Sequence, residues 1–298
     1  MKKIIVAGSA NTDMVVKVEK FPVPGETLLG GSFFMNAGGK GANQAVASAR
    51  LGGDVTFVCK IGNDIFGKQT IANLNKEGID TRYIFTDAEA PSGVALITVN
   101  KDGENCIVVA SGANNNLVEE DVEQVTAINN AEIILTQLET PLSTIEFLVR
   151  LAKRNDQKII LNPAPAQKLS DEILNGLFLI TPNETEATLL TNINVTDEIT
   201  AAKAADFLQS KGVKNVIITL GKKGAYLQSE YSKLIIEAPV VKAVDTTAAG
   251  DTFNGALAVA IAENMDWQAA VIFACKAASI SVTRFGAQAS IPYRNEIL

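Results

Sequence analysis

Residues 131–161 read AEIILTQLETPLSTIEFLVRLAKRNDQKIIL. Ile133-Ile134-Leu135 and Ile159-Ile160-Leu161 are continuous apolar runs, the pattern of strands covered on both faces, and Ser143 to Arg154 between them reads as a helix. A strand, a helix and a second strand make the repeating unit of a parallel sheet. The pattern extends outward in both directions. Ile4-Ile5-Val6-Ala7, Val55-Thr56-Phe57-Val58 and Val216-Ile217-Ile218-Thr219 are further strands of this kind, and Gln44 to Leu51, Lys68 to Gly78, Glu184 to Leu190 and Ala201 to Lys211 are helical. The alternation predicts an α/β fold: a doubly wound, mostly parallel sheet flanked by helices, with ligands at the carboxyl ends of the strands.

Two stretches break the alternation. Met14 to Val18 with Glu26 to Met35, and Gly93 to Val99 with Asn105 to Ala110, read as antiparallel pairs joined by turns at 21–25 and 101–104. They predict a small antiparallel β-sheet, about 13–36 and 92–110, standing off a single domain of residues 1–298 as a lid. Such a sheet needs cover for one face, so it closes over a ligand or pairs with a second copy. Phe33-Phe34-Met35 are expected in the lid's core, and Trp267 as a packing residue.

Composition narrows the chemistry. The 298 residues include no histidine, which excludes Ser-His-Asp and Cys-His triads and His-ligated metals. Phosphoryl transfer passes this filter, because positioning and charge neutralisation supply most of its catalysis. The net charge of −7 argues against nucleic acid and anionic membrane surfaces as partners. No stretch approaches 18 uncharged apolar residues. Cys59, Cys106 and Cys275 are widely spaced and form no CxxC, so they are expected reduced and buried, in a cytoplasmic protein.

Two Gly-rich stretches could carry the chemistry. In 243–256, AVDTTAAGDTFNGA, helical spacing begins near Gly250-Asp251, and the small residues before it form an anion cradle at a helix N-terminus. From the residues alone Asp251 is either the cap of that helix or a base that accepts a proton from an attacking hydroxyl. In 36–44, NAGGKGANQ, neither the dinucleotide fingerprint nor the P-loop fits, and the loop is either a flexible turn or a polyol site through Lys40 and Asn43. Asn11, Asp13, Glu139, Asn183, Glu186 and Thr219 to Gly224 all follow strands, along one sheet edge.

These two stretches, with Asn162-Pro163-Ala164-Pro165, Thr181-Pro182-Asn183-Glu184-Thr185-Glu186, Ile218-Thr219-Leu220-Gly221 and Gly286-Ala287-Gln288 in matching order, resemble the ribokinase-like carbohydrate kinase family over essentially the whole chain. The resemblance implies ATP-dependent phosphorylation of the 5-hydroxyl of D-ribose. It implies that Asn11, Thr12, Asp13, Gly39, Lys40, Gly41, Ala42, Asn43 and Glu139 hold the sugar, and that Asp251 is the general base. The backbone of Ala248, Ala249, Gly250 and Asp251 would stabilise the transferred phosphoryl. Asn183, Glu186, Thr219, Leu220, Gly221, Lys222, Lys223, Gly224, Gly250 and Asp251 would meet the nucleotide, with Asn183 and Glu186 linked to Mg²⁺. Cys275 would too, standing where some members carry a histidine near the adenine. A K⁺ site would involve Asp245, Thr247, Ser281, Arg284, Gly286 and Ser290, several through carbonyls, and the lids of two subunits would pair in a homodimer. Rival expectations are a kinase for deoxyribose, fructose or a nucleoside, and a non-catalytic sugar-binding protein, which has no need of Asp251.

Overall fold

The computed structural model describes residues 2–297. Its main sheet runs in the order β13 (Lys233–Ile236), β12 (Ala225–Gln228), β11 (Asn215–Thr219), β10 (Leu179–Ile180), β9 (Lys158–Leu161), β8 (Ala131–Thr136), β1 (Lys3–Ala7), β4 (Asp54–Gly62), β5 (Asp80–Asp87). Strands β11 through β5 are parallel, and β12 and β13 add an antiparallel edge. From β1 the chain winds out one way to β4 and β5, then returns to lay β8 on the other side. That reversal opens a crevice at the carboxyl ends of β1 and β8, where folds of this kind bind ligands.

Alternate side chains of the strands feed two separate cores. Ile4, Val6, Phe57, Ile133 and Leu135 pack toward α1 (Lys40–Arg50), α2 (Ile65–Lys76), α8 (Ala249–Ala262) and α9 (Trp267–Ser281). Ile5, Ala7, Ile134, Ile159 and Leu161 pack toward α3 (Glu119–Glu123), α4 (Leu142–Arg154), α5 (Asp171–Leu174), α6 (Glu184–Thr191) and α7 (Glu198–Ser210). Both faces of each strand are therefore buried, which is why the strands are apolar without alternation. Trp267 stacks on Phe178 with ring centroids 5.9 Å apart, a packing role as expected.

The second sheet has the order β3 (Ser32–Gly38), β2 (Asn11–Lys17), β6 (Gly93–Val99), β7 (Asn105–Ala110). It departs from the expected antiparallel sheet. The hairpin partners are antiparallel, but β2 and β6 run parallel, Asn11 beside Gly93. The reason lies at its root, where both strands leave the body from one point. Asn114 accepts from the Ala10 amide at 2.9 Å and donates to Asn11 Oδ1 at 2.8 Å, and a Cβ on Gly93 would lie 2.2 Å from both amide side chains. The strand expected over 26–35 starts only at Ser32, after Gly30 and Gly31 take φ near +100°.

Two further expectations fail on the lid. Phe33, Phe34 and Met35 are 60%, 38% and 50% exposed instead of forming a core. Cys106 on β7 is exposed, whereas Cys59 and Cys275 are buried. Phe33, Met35 and Cys106 share the outer lid face with Leu96 and Val108, also exposed, and that face has no cover among the described residues, whereas Phe34 and Ile107 lie on the opposite face and line the open cleft between lid and body.

Candidate active site

The Gly-rich loop 38–41 is held by close backbone crossing. Gly39, with φ +86°, caps α1, and a Cβ there would lie 2.7 Å from the Asn11 amide nitrogen. A Cβ on Gly41 would lie 2.5 Å from the Ser9 amide nitrogen. These glycines therefore serve the approach of the β1–β2 connection, which places Lys40, Asn43 and Gln44 over the switch-point crevice. Lys40 N donates to Glu139 Oε2 at 2.9 Å, and Ser9 Oγ donates to the same oxygen at 2.5 Å. Helix α1 begins at Lys40, four residues before the periodicity suggested, because Asn43 and Gln44 already lie in its buried first turn.

Asp251 is not the cap of α8. The N-cap is Ala248, in the left-handed region at φ 60° with no side-chain cap, and Asp251 is the third helical residue. Its Oδ2 accepts from Asn43 Nδ2 at 2.9 Å and its Oδ1 from Gln44 Nε2 at 3.0 Å. The carboxylate is thus turned away from its own helix and into the crevice, with 6% of its residue surface exposed. Burial pushes its pKa above the ordinary value, while Lys40, Asn43 and Gln44 pull against that rise. Burial also depresses the Lys40 ammonium, but the charges of Asp251, Glu139 and Glu186 outweigh it and leave the pKa above its usual value.

The start of α8 offers donors. Ala249 N donates to Thr246 O at 3.2 Å, so it is partly committed. The amides of Gly250 and Asp251 have no acceptor among the described residues, and nothing lies within 4 Å of where a Gly250 Cβ would stand. An anion can approach these amides directly.

Asp13 sits on β2 against Gly38, whose Cβ would lie 2.3 Å from its Oδ2. Burial, with Glu139 and Asp251 nearby, raises its pKa from 3.8 to about 6. Its folded value lies above its ordinary one. The charged form therefore costs the folded protein nothing below pH 3.8 and its full penalty above about pH 6. Asp13→Asn is expected to raise the melting temperature at pH 8 and leave it unchanged at pH 3.5. An equal shift at both pH values would contradict this.

On the other side of the crevice Asn183 pairs with Thr219 in an isolated parallel bridge, joining the start of α6 to the turn at Gly221–Lys223. Asn183 and Glu186 form a reciprocal cap: Asn183 Oδ1 accepts from Glu186 N at 2.8 Å, and Glu186 Oε1 accepts from Asn183 Nδ2 at 2.9 Å. Lys222 and Lys223 are exposed, and Lys223 Nζ donates to Thr196 O at 3.1 Å. Cys275 lies on α9. It is 4% exposed in the core between α9 and the sheet, where burial pushes its thiol up to about 11.

The residues expected at a K⁺ site come from two adjacent loops. Asp245 Oδ1 accepts from Thr247 N at 2.9 Å and Asp245 Oδ2 from Gly286 N at 2.9 Å, tying the loops together. Burial opposes ionisation of Asp245, but these bonds prevail and hold its carboxyl below the ordinary range. The Ser281 and Ser290 hydroxyls donate to the Ala278 and Ala287 carbonyls, and the Arg284 guanidinium, which has no lone pair to offer a cation, pairs with Glu296. A cleft of about 1040 Å³ between lid and body joins Asp13 to this region, passing Lys17, Phe34, Asp245 and Phe285.

Sequence reasoning missed Gln137, Asn162 and Asn254, and left Gln44 without a role. All four are buried. Gln44 and Asn162 lie inside the stretches that carry the family resemblance; Gln137 carries no local signal beyond following β8.

A buried carboxylate in the first turn of a helix whose Gly250 and Asp251 amides are free, at a crevice roofed by a separate small sheet, fits a phosphotransferase acting on an alcohol. Residues 1–294 match the pfkB family of carbohydrate kinases, and the chain belongs to that family. Among named relatives, the ribokinase of Haemophilus influenzae is 50% identical, covering 100% of this chain and 97% of the relative. The ribokinase of Staphylococcus aureus is 44% identical, covering 99% and 98%. The solved structure of Arabidopsis thaliana ribokinase complexed with ribose and ATP superposes with a TM-score of 0.93 at 33% identity, covering 99% and 97%.

Proposed function

We propose that this chain is an ATP-dependent kinase that phosphorylates the 5-hydroxyl of D-ribose. The observation that carries the reading is Asp251: a buried carboxylate with both oxygens oriented by α1, one residue beyond a free Gly250 amide. The sugar would be held by Asn11, Thr12, Asp13, Lys40, Asn43 and Glu139, a set of acceptors and donors suited to several hydroxyls. Asn43 Oδ1 is buried without a partner among the described residues, an acceptor left over beside Asp251.

A primary alcohol has a pKa far above neutrality, so Asp251 takes its proton as the bond to phosphorus develops. The bond from the 5-oxygen to the γ-phosphorus forms while the bond to the ADP oxygen breaks. The amides of Gly250 and Asp251 and the α8 dipole stabilise charge on the transferred group. Lys40 supports the carboxylates and the incoming anion. Closure of the lid excludes water and limits ATP hydrolysis.

Among the described residues no cluster of three His, Cys, Asp or Glu side chains could hold a metal ion. This donor set fits Mg²⁺ only as an ion arriving with the nucleotide, with Asn183 and Glu186 the residues that would approach it. There it would neutralise charge on the phosphates. For K⁺, the carbonyls of Asp245, Thr247, Arg284 and Gly286 accept no amide among the described residues, a hard-oxygen set suited to such a cation beside the α8 start. Its effect would be to fix the 245–247 loop that leads into Gly250. The exposed apolar lid face fits burial against the lid of a second copy in a homodimer, and the reduced, unpaired cysteines fit a cytoplasmic setting.

The test is ADP release over a panel of ribose, 2-deoxyribose, fructose and nucleosides, with and without K⁺, alongside the mass of the protein in solution. Ribose-dependent turnover, stimulated by K⁺, from a dimer is expected. A nucleoside or fructose preferred over ribose would overturn the substrate, a rate indifferent to K⁺ would overturn the cation site, and a monomer at micromolar concentration would overturn the pairing of lids.

A further inference from the structure

We infer that Gln44 is a positioning residue for the Asp251 carboxylate, itself locked in one orientation by Gln137 and Asn162. This rests on the reading of Asp251 as general base. Gln44 is fully buried, as is Gln137. Gln44 Nε2 donates to Asp251 Oδ1 at 3.0 Å and to Asn162 Oδ1 at 3.0 Å, using both of its hydrogens. Gln44 Oε1 accepts from Gln137 Nε2 at 2.7 Å. Asn162 is fixed in its turn, donating to Thr181 O at 3.3 Å.

The orientation of the Gln44 amide follows from chemistry. A carboxylate only accepts, so the amine end must face Asp251. A flipped amide would set its oxygen against Asp251 and Asn162 and its amine against the Gln137 amine, losing three bonds in a dry site. Asp251 Oδ1 is therefore occupied by a donor from which it cannot turn. Oδ2 is held in the same way from α1 by Asn43 Nδ2, so the plane of the carboxylate is fixed at both ends. In a chain without histidine, this pair of glutamine amides does for the carboxylate what a supporting carboxylate does for a catalytic imidazole: it fixes the orientation of the group that handles the proton.

The arrangement is uneconomical as packing alone. Gln137 Oε1 is buried without a partner and lies against Gly8, where a Cβ would stand 2.1 Å away. A core built for stability would not leave that acceptor unpaired. The charged groups facing Asp251 from the surrounding elements are Lys40, Glu139 and Glu186, with Asp13 from the lid, and none of them bonds to Oδ1.

Gln44→Met, nearly isosteric, is expected to lower kcat about 10- to 100-fold, the scale of a misplaced catalytic group, with the KM for ribose within about threefold of wild type. Gln137→Met should lower kcat less, and the double variant should match Gln44→Met alone, since Gln137 acts only through Gln44. Melting temperatures are measured beside the kinetics. An unchanged kcat in Gln44→Met would overturn the inference. So would a loss of kcat matched by an equal rise in KM, or independent effects of the two substitutions. Asp251→Asn separates this from the base assignment. If Asp251→Asn retains near-wild-type turnover, the base reading has failed; if it is inactive while Gln44→Met is unaffected, only the positioning role has failed.

Discussion

Asp251→Asn is expected to lower kcat by about 10²- to 10⁴-fold, the range for removal of a general base. The KM for ribose should change little. Asparagine has the same shape, but its amide can satisfy only one of the two donors that now converge on the carboxylate from Asn43 and Gln44, so an amine faces an amine at the other. It also cannot accept the proton of the attacking hydroxyl. Stability should move the other way. Burial holds the Asp251 pKa above its ordinary value, so the ionised form is disfavoured in the folded protein at neutral pH. The variant's melting temperature at pH 8 should therefore equal or exceed that of wild type. Turnover within tenfold of wild type would remove Asp251 from the chemistry.

Gly255→Ala should destabilise the protein by about 1–3 kcal/mol, the usual cost of overpacking, although the same change in an exposed helix interior stabilises by about 1 kcal/mol. The sign is reversed by the contact between α8 and α1. An added Cβ would stand 2.5 Å from Ala47 Cβ, 2.9 Å from Gln44 O and 2.9 Å from Ser48 N. Helix α1 must then back away, and it carries Asn43 and Gln44, which orient Asp251 on α8 itself. Denaturant unfolding should show the lost stability, and kcat should fall with it. A variant more stable than wild type would mean that the two helices are not in this close contact.

The close approach of α1 and α8 also marks what could and could not be read from the sequence. The alternation of unbroken apolar runs with helical stretches determined the doubly wound sheet, because strands buried on both faces must be apolar throughout. It determined the two hairpins of the lid, whose strands alternate with turns and not with helices. The small residues around Gly39 and Gly250 marked the two loops that border the site, and the absence of histidine sent the proton to a carboxylate.

Only the tertiary structure decided which role Asp251 has. A helix-start aspartate reads equally as a cap or a base, and the choice depends on Asn43 and Gln44, more than two hundred residues earlier in the chain, turning its side chain away from its own helix. The parallel pairing of β2 and β6 was likewise invisible, since strand direction is set by where both strands leave the body, at Asn114, and not by any local pattern. Phe33, Phe34 and Met35 read as core because apolar residues at strand spacing usually bury, yet the face that carries Phe33 and Met35 has no cover among the described residues and Phe34 borders an open cleft. Gln137 left no trace in the sequence: a lone glutamine after a strand acquires its role only when the fold brings Gln44 to within 2.7 Å of it. Local pattern fixes elements and loops, because their causes lie within a few residues. Which groups meet is fixed by packing between segments far apart in the chain.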